Sequence, residues 1–305
     1  MTDDLRLPPI DAIVAAALAE DLGVEPEALL AGAPGLLDRD VTGALLPSGA
    51  RLRGVIRARQ DGVVCGLPVA ARVFEMLAEA AGVAVPDCFP LVPEGARVGA
   101  GNVALEIEGD ARVILAGERT AIDFLMTLSG IATRAADWQD AAGPTLRVLD
   151  TRKTLPGLRV LSKYAVRAGG ASNHRAGLYD MVLVKDNHIG AAGGITAAVA
   201  AARAAYSGLL VQVEADTAAQ AAEAAAAGAD FVLLDNMDDT GLTEAVAAVR
   251  AATPVDGRCE TEASGGITLE RLPALAALGV DRVSASALTL APPLDFGLDL
   301  DGDRP

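Results

Sequence analysis

Every histidine and every lysine of this chain lies between positions 153 and 188. The histidines are His174 and His188, and the lysines are Lys153, Lys163 and Lys185. Between positions 147 and 185, eight Lys or Arg residues stand against two Asp residues, in a chain whose formal net charge is −16. Such a local reversal of charge indicates a site that binds an anion.

Three of these cations directly follow predicted β-strands. Arg152 and Lys153 come after LRVL (146–149), and Lys185 ends MVLVK (181–185). Nearly all other cations of the chain are arginine. Lysine at two strand ends therefore suggests a need for a compact charge with three donors. For the cations inside the next predicted helix, Arg159, Lys163 and Arg167, we expect an ordinary place on a helix surface.

Imidazoles neighbour these cations in sequence, and carboxylates follow at later strand ends. His174 precedes Arg175, and His188 follows Lys185 by three residues. Glu214 and Asp235 end two further predicted strands. Either carboxylate alone could cap a helix. As a pair facing a cationic cluster, they are suited to bind a divalent ion or sugar hydroxyls.

A glycine turn adds a possible phosphate site. Ser264, Gly265 and Gly266 follow a strand and precede a predicted helix, where free backbone N–H groups bind phosphate. The GAAGG run after His188 is not a G-x-G-x-x-G fingerprint, so a dinucleotide site is not predicted. No nucleophile–base pair is recognisable, since the cysteines are remote from both histidines and no G-x-S-x-G occurs. This favours chemistry on a multiply anionic substrate whose own atoms supply the nucleophile.

The elements that must position these residues alternate between strand and helix. Six β-branched runs, separated by alanine-rich helical stretches, begin at about residues 146, 181, 209, 230, 258 and 281. This alternation indicates parallel β-α units. A doubly wound sheet would place ligands around one crevice. Here polar residues follow all six strands, which favours the face of an α/β barrel.

The predicted fold class is therefore α/β, with an incomplete, six- to seven-stranded parallel barrel over residues 117–289. Residues 1–116 are predicted to form a smaller N-terminal α+β domain, on which the tail from about 290 to 305 packs. The small domain contains a helix at 10–22, strands at 51–58 and 103–109, and a helix at 68–82. A long helix or a helix pair at 115–138 joins the two domains.

Composition limits the function further. With 25 Lys and Arg against 41 Asp and Glu, the chain is not expected to bind nucleic acid or an anionic membrane. We expect neither a signal peptide nor a membrane-spanning helix. The cysteines Cys65, Cys88 and Cys259 have no metal-like spacing, which suggests reduced thiols in a cytoplasmic enzyme.

These motifs resemble the quinolinate phosphoribosyltransferase family over nearly the whole chain, from about Asp40 to Leu300. The matching segments are DTRKTLPGLRVLSKYAVRAGG, SNHRAGLYDMVLVKDNHI, VEAD, LLDN, EASGGIT and the ERTA, DFL and LSGIAT pieces at 118–133. The resemblance implies a homodimer. It also implies conversion of quinolinate and 5-phosphoribosyl-1-pyrophosphate, with Mg²⁺, to nicotinate mononucleotide, CO2 and pyrophosphate, a step of NAD synthesis.

Site residues follow from matching the same motifs. Arg152, His174, Arg175 and Lys185 would hold the two carboxylates of quinolinate, and Arg119 would join them from the partner subunit. Thr151 and His188, at the same strand ends, are further candidate substrate-binding residues. Lys153 would meet the pyrophosphate, and Glu214 and Asp235 the ribose hydroxyls and Mg²⁺. The 5-phosphate would lie against Ser264, Gly265, Gly266, Ser284, Ser286 and Ala287.

Two departures from the family pattern leave alternatives open. Gly170-Ala171-Ser172 replaces a run with more glycines. In addition, Ser286 and Leu290-Ala291-Pro292-Pro293 stand where a glycine and a cation are usual. The Pro-Pro-x-Asp ending is similar to a paralogous family associated with molybdenum transport, which would act on another aromatic carboxylate. A non-catalytic, anion-binding homologue is the third hypothesis, against which the intact Glu214 and Asp235 speak.

Overall fold

The computed structural model describes residues 5–47, 49–255 and 257–300. They form two compact units. The first comprises the described residues up to Arg134, Leu155–Gly169, and the chain from Leu290 on; the second comprises Ala135–Thr154 and Gly170–Thr289. The division therefore does not follow the predicted boundary between residues 116 and 117, which lie inside one continuous helix.

The described residues contain ten α-helices, twelve strands and three short 3-10 helices. The α-helices are α1 (Asp11–Leu22), α2 (Pro26–Ala31), α3 (Leu67–Ala81), α4 (Ala111–Ala142), α5 (Arg159–Ala168), α6 (Asp186–Ala192), α7 (Ile195–Ala205), α8 (Ala218–Ala226), α9 (Asp239–Ala252) and α10 (Leu272–Ala277). The strands are β1 (Arg51–Ala58), β2 (Gly62–Val63), β3 (Asp87–Pro90), β4 (Arg97–Val98), β5 (Val103–Asp110), β6 (Arg147–Leu149), β7 (Val182–Val184), β8 (Val211–Ala215), β9 (Phe231–Asp235), β10 (Glu260–Ser264), β11 (Arg282–Ser284) and β12 (Phe296–Leu300). The 3-10 helices are Leu36–Arg39, Gly43–Leu45 and Leu269–Arg271.

The first unit is built on an antiparallel sheet with the strand order β12-β1-β5-β3. The predicted helix at 10–22, the strands at 51–58 and 103–109 and the helix at 68–82 are confirmed as α1, β1, β5 and α3. The amphipathic α3 buries one face, including Val73, Phe74 and Leu77. Sequence reasoning did not identify β12 as a strand. It pairs with β1, opposite residues about 240 positions earlier in the chain.

The helix joining the two units is a single element of 32 residues rather than a helix pair. Its glycines are explained by close packing rather than by a break. A Cβ at Gly117 would lie 2.9 Å from the ring of Phe74, and one at Gly130 would overlap the carbonyl oxygen of Pro292. The helix therefore continues through both positions, because only glycine lets these neighbours approach.

The second unit confirms the predicted incomplete α/β barrel. Its six parallel strands have the order β6-β11-β10-β9-β8-β7, so that β6 and β7 are the edges of an unclosed sheet. The strand register aligns Glu214 with Leu233, Leu233 with Glu262, and Glu262 with Arg282. Residues in register lie on the same face of a sheet, and these four form one row on that face.

Helix α5 departs from the expectation of surface cations. It belongs to the first unit, and Leu161 through Val166 are buried. Lys163 is only 6% exposed and has a polar interaction. The expectation of a solvated Lys163 is therefore wrong, because the buried part of α5 covers more than one helical turn.

No helix among the described residues is long and apolar enough to cross a membrane. The three cysteines are free. Burial, with nearby carboxylates, raises the pKa of the Cys88 and Cys259 thiols to about 12. It also raises the pKa of Cys65, which lies near Glu94. All three thiols are therefore protonated at neutral pH and poorly nucleophilic.

Candidate functional site

The predicted site residues of the second unit lie along the edge of the parallel sheet that is formed by the C-terminal ends of its strands. Asp235 and Ser264 are the last residues of β9 and β10, and Lys185 follows β7 directly. Glu214 on β8 is in register with Leu233. Asp235 lies two residues beyond Leu233 and thus on the same face. The parallel sheet therefore brings together side chains that are about 80 positions apart in sequence.

Two arginines at this edge form a positively charged pair. Burial, the charge of Arg152 and the opposing charge of Asp180 act on Arg175, and the net result is a lowered pKa for its guanidinium. The Nε of Arg152 is buried without a hydrogen-bond partner in the described part of the chain. Arg175 donates through Nη1 to the carbonyl of Met181, at 3.3 Å. Two partly buried guanidiniums that repel each other constitute a site where a multiply charged anion would be stabilised.

A buried aspartate holds the segment that carries Arg175. Asp150, just after β6, is fully buried. Its carboxylate accepts hydrogen bonds from the side-chain amide of Asn173 and the backbone N–H of His174, both at 2.8 Å. Ser172 also bridges to Leu149 beside β6. The sequence analysis assigned no role to Asp150. Its position between a strand and a cationic turn was the only signal available.

The two histidines have different environments. His174 has a side chain that is 8% exposed, and its Nδ1 accepts the backbone N–H of Arg175 at 2.7 Å. His188 is exposed in the first turn of α6, where its Nδ1 accepts the backbone N–H of Lys185 at 3.0 Å. His188 therefore caps the helix that follows β7, while His174 lies in the interior of the site.

Beneath His174 lies a buried polar network centred on Glu262. The Oε2 of Glu262 accepts hydrogen bonds from Arg282 Nε at 2.7 Å and from Gln212 Nε2 at 3.0 Å. His174 Nε2 faces Glu262 Oε1 at 3.5 Å, and the nearby Ser284 hydroxyl helps to lower the pKa of this carboxylate. Burial alone would raise the pKa of Glu262, but these donors and charges lower it to about 2. Glu262 is thus an ionised carboxylate in the interior, to which the sequence analysis assigned no role.

The lysines at the strand ends have distinct partners. Lys185 forms an ion pair with Glu214, whose side chain is only 16% exposed. Lys153 is exposed, and its main chain is held on both sides. Its N–H donates to Thr151 Oγ1 at 3.0 Å, and its carbonyl accepts the Thr289 hydroxyl at 2.6 Å. Lys153 is therefore a solvent-facing cation on a fixed backbone. Thr289 is a supporting residue that sequence reasoning missed.

The glycine turn after β10 is coupled to Asp235 through Asn236. Asn236 has φ 53°, its N–H donates to the Ser264 carbonyl at 2.9 Å, and its side-chain amide donates to Asp235 Oδ2 at 2.7 Å. Gly265 and Gly266 have φ of 86° and 59°. The helix expected directly after them is absent from this position. A 3-10 turn starts at Leu269 and the six-residue α10 only at Leu272, so the turn has backbone N–H groups but no helix end behind it.

The remaining predicted phosphate residues follow β11. Ser284 is its last residue and is 5% exposed. Ser286 and Ala287 lie in the turn beyond the strand and are partly exposed. Ser284 is thus a buried residue whose hydroxyl helps to lower the pKa of Glu262.

Arg119 lies in the first unit, on α4. Its side chain is 64% exposed and faces Asp123 at 3.4 Å, one helical turn away. With residues of α1 and of the segment before α5, it lines a cavity of about 690 Å³. A weak surface ion pair leaves this guanidinium available to another partner.

The described residues contain no cluster of three or more His, Cys, Asp or Glu side chains suited to a metal ion. Glu214 and Asp235 supply carboxylates from neighbouring strands, and Lys185 already neutralises one of them. Two carboxylates fit Mg²⁺, which is usually held by one or two protein carboxylates together with phosphates of the substrate.

Comparison with known proteins gives a consistent result. Residues 40–129 and 131–299 match the family models "Quinolinate phosphoribosyl transferase, N-terminal domain" and "C-terminal domain". The chain is 43% identical, over 83% of its length and 84% of the relative's, to a probable nicotinate-nucleotide pyrophosphorylase (carboxylating) of Synechocystis. It is 41% identical to the human nicotinate-nucleotide pyrophosphorylase (carboxylating), covering 97% of this chain and 94% of the human one. The crystal structure of NadC from Streptococcus pyogenes superposes with a TM-score of 0.83 at 36% identity, covering 96% and 97% of the two chains. The nicotinate-nucleotide pyrophosphorylase of Francisella tularensis superposes at 0.85 with 32% identity, covering 98% and 100%.

Proposed function

This chain belongs to the quinolinate phosphoribosyltransferase family, and we propose that it catalyses the reaction for which its relatives are named. In the biosynthetic direction, the phosphoribosyl group passes from 5-phosphoribosyl-1-pyrophosphate to quinolinate. The products are nicotinate mononucleotide, CO2 and pyrophosphate, so the reaction serves NAD synthesis. A cytoplasmic site of action is also proposed, since Cys65, Cys88 and Cys259 are free and reduced thiols are usual in that compartment.

The observation that carries this proposal is the pair formed by Arg152, which follows β6, and Arg175, which lies in the segment between α5 and β7. Burial and the nearby charge of Arg152 lower the pKa of Arg175, and Arg152 has a buried nitrogen without a partner among the described residues. Both features are unfavourable until an anion binds. A pyridine dicarboxylate supplies two negative groups in one plane, which suits guanidinium forks.

The chemistry proposed here needs no general base. The pyridine nitrogen attacks C1 of the ribose with its own lone pair as the bond from C1 to the pyrophosphate oxygen breaks. Glu214 and Asp235 are proposed to stabilise the positive charge that develops on the ribose, and Lys153 the charge on the departing pyrophosphate. The bond to the 2-carboxylate then breaks, CO2 leaves, and the ring carbon takes a proton.

The other predicted residues are proposed to bind quinolinate and the 5-phosphate of 5-phosphoribosyl-1-pyrophosphate. Lys185, with Thr151 and His188 at the same strand ends, lies on the quinolinate side of the proposed site. Main-chain N–H groups of the turn at Ser264, Gly265 and Gly266 are proposed to bind the 5-phosphate, with Ser286 and Ala287 from the turn after β11. The side chains of His174 and Ser284 are almost fully buried. They are proposed to support the substrate-binding residues from the interior of the sheet.

Mg²⁺ is proposed as the cofactor, held by Glu214 and Asp235 together with the pyrophosphate. When bound, it would neutralise charge on the leaving group. Two protein carboxylates completed by phosphate oxygens of the substrate are the coordination that Mg²⁺ usually has in such sites.

We also propose a homodimer whose sites are shared. Arg119 lies in the first unit, is largely exposed and has only a weak ion pair. Its position in the segment that resembles the family (ERTA) suggests that it reaches the quinolinate site of the partner subunit.

The proposal is tested by product analysis of the purified protein with Mg²⁺ and 5-phosphoribosyl-1-pyrophosphate. With quinolinate, nicotinate mononucleotide and CO2 should appear in equal amounts. With nicotinate in its place, neither should form at a comparable rate. Product from nicotinate alone would indicate another acceptor. Quinolinate binding without turnover would indicate a non-catalytic homologue.

A further inference from the structure

We propose that Glu262 is a positioning residue for the reaction: it fixes the tautomer and the orientation of His174 and thereby holds Arg175 against the carboxylates of the substrate. The role of Arg175 in this statement rests on the proposed function. The role of Glu262 toward His174 rests on geometry alone.

Glu262 lies in the interior of the parallel sheet. It is on β10, with no exposed surface, in register with Leu233 on one side and Arg282 on the other. It is thus in the same row as Glu214, directly beneath the strand ends. A carboxylate is rarely buried so completely unless it is paired and hydrogen-bonded.

The groups that contact this carboxylate in the described part of the chain include two strong hydrogen-bond donors. Arg282 Nε and Gln212 Nε2 donate to Oε2. Arg282 is itself held in place, since its guanidinium stacks over the ring of Phe231 at 3.9 Å. Oε1 of Glu262 has no bond of ordinary length, and the group that faces it is Nε2 of His174 at 3.5 Å.

The hydrogen bond of His174 determines which of its two ring nitrogens carries the proton. Its Nδ1 accepts the N–H of Arg175 and so carries no hydrogen. A neutral imidazole has one N–H, which must then be on Nε2 and point to Glu262. This is the arrangement in which a carboxylate behind a histidine selects one tautomer.

This tautomer also fixes the main chain at Arg175, which belongs to the proposed anion site. The hydrogen bond from the Arg175 N–H to His174 is short, at 2.7 Å. Together with the bonds from Asp150 to Asn173 and to the His174 N–H, it fixes the main chain where Arg175 begins. If His174 took the other tautomer, its Nδ1–H would oppose the N–H of Arg175 and the segment would have to move.

Glu262→Gln tests the idea sharply, because an amide has one donor end. Arg282 requires the oxygen end, so the amide NH2 would face Nε2 of His174. Two donors cannot pair, and His174 should switch its proton to Nδ1. We expect the KM for quinolinate to rise on the order of tenfold, as for the loss of one hydrogen bond, with a smaller change in the KM for 5-phosphoribosyl-1-pyrophosphate.

Glu260→Gln is the matched control. Glu260 lies on the same strand, two residues earlier, and is 7% exposed. Its partners are Arg147 and Arg258, which have no part in the proposed site. This variant removes the same charge from the same strand and should leave the KM for quinolinate and the protonation of His174 unchanged.

The tautomer is measured directly by ¹⁵N NMR of the ring nitrogens, which is practical because the chain has only two histidines. His188→Gln assigns the signals. Wild-type protein should carry the proton of His174 on Nε2, at a pH above the range in which imidazole titrates, and Glu262→Gln should carry it on Nδ1. A wild-type proton on Nδ1 would overturn the proposal even if Glu262→Gln fails to fold.

A double variant separates positioning from general stabilisation. In a His174→Asn background, the side-chain oxygen can still accept the N–H of Arg175, but Glu262 no longer sets its orientation. Glu262→Gln should then add little to the KM for quinolinate. Additive effects, or an unchanged tautomer with an unchanged KM in the single variant, would refute the positioning role. If wild-type protein makes no product from quinolinate, the proposed function fails, while the NMR result still decides the link between Glu262 and His174.

Discussion

Gly265→Ala should damage the turn after β10 through a specific collision with Asn236. A Cβ on Gly265 would overlap Asn236 Oδ1 and lie 2.5 Å from its Cγ. The Asn236 side chain would have to leave, and its hydrogen bond to Asp235 would break. Gly266→Ala is the matched control, since a Cβ there meets no atom within 4 Å although φ is also positive.

The two variants share one cost and differ in another. A left-handed conformation costs alanine about 1–2 kcal/mol more than glycine, and both variants carry this cost. Gly265→Ala also loses the Asn236 hydrogen bond, which contributes about 1 kcal/mol, and gains steric strain. We therefore expect Gly265→Ala to be destabilised by about 2–3 kcal/mol, and Gly266→Ala by about half as much.

The assay compares thermal unfolding with the KM for 5-phosphoribosyl-1-pyrophosphate. Gly265→Ala should have the lower Tm and a KM raised on the order of tenfold, because both the phosphate turn and Asp235 are displaced. Asn236→Gly should partly restore stability to Gly265→Ala, since it removes the colliding side chain and tolerates φ 53°. Equal effects at Gly265 and Gly266, or no rescue by Asn236→Gly, would refute the reasoning.

Four further predictions concern charges. Lys153→Ala should lower kcat on the order of 100-fold with quinolinate affinity retained; isothermal titration should find a much larger loss of affinity in Arg175→Ala, and equal losses would contradict the leaving-group role. Lys185→Arg should lose on the order of 100-fold in kcat/KM, because a planar fork misplaces the charge; near-normal kinetics would mean that the lysine is incidental. Mixing inactive Arg119→Ala with inactive Lys153→Ala subunits should restore about a quarter of wild-type activity if sites are shared in a dimer; no recovery after demonstrated subunit exchange would place Arg119 outside the partner's site. The pKa of Glu262 is lowered to about 2, so its stabilising contribution is complete above about pH 4.5 and is lost as the pH falls toward 2; acid titration of Glu262→Gln should lack this component, and identical curves would count against it.

The sequence by itself determined where the strands and helices of the barrel lie and that the chain has an anion-binding site. β-branched runs and alanine-rich segments have different periodicities, and this difference is local, so all six strands of the barrel were located within a few residues. Their polar C-terminal ends also followed from local sequence, since parallel strands present those ends at one edge. The cationic cluster around Arg152 and Arg175 stood out against an acidic chain without any structure.

Only the tertiary structure decided which of these groups meet. The strand order places β11 between β6 and β10, and this register sets Arg282 beside Glu262. That contact makes Glu262 an interior carboxylate under His174, rather than one polar residue among several at a strand end. Likewise, the ion pair of Lys185 with Glu214 and the burial of Lys163 depend on packing between segments that are distant in sequence. Strand pairing and helix docking are stabilised by contacts between residues that lie far apart in the sequence. A local sequence pattern describes only one side of such a contact, so it does not specify which segments pair.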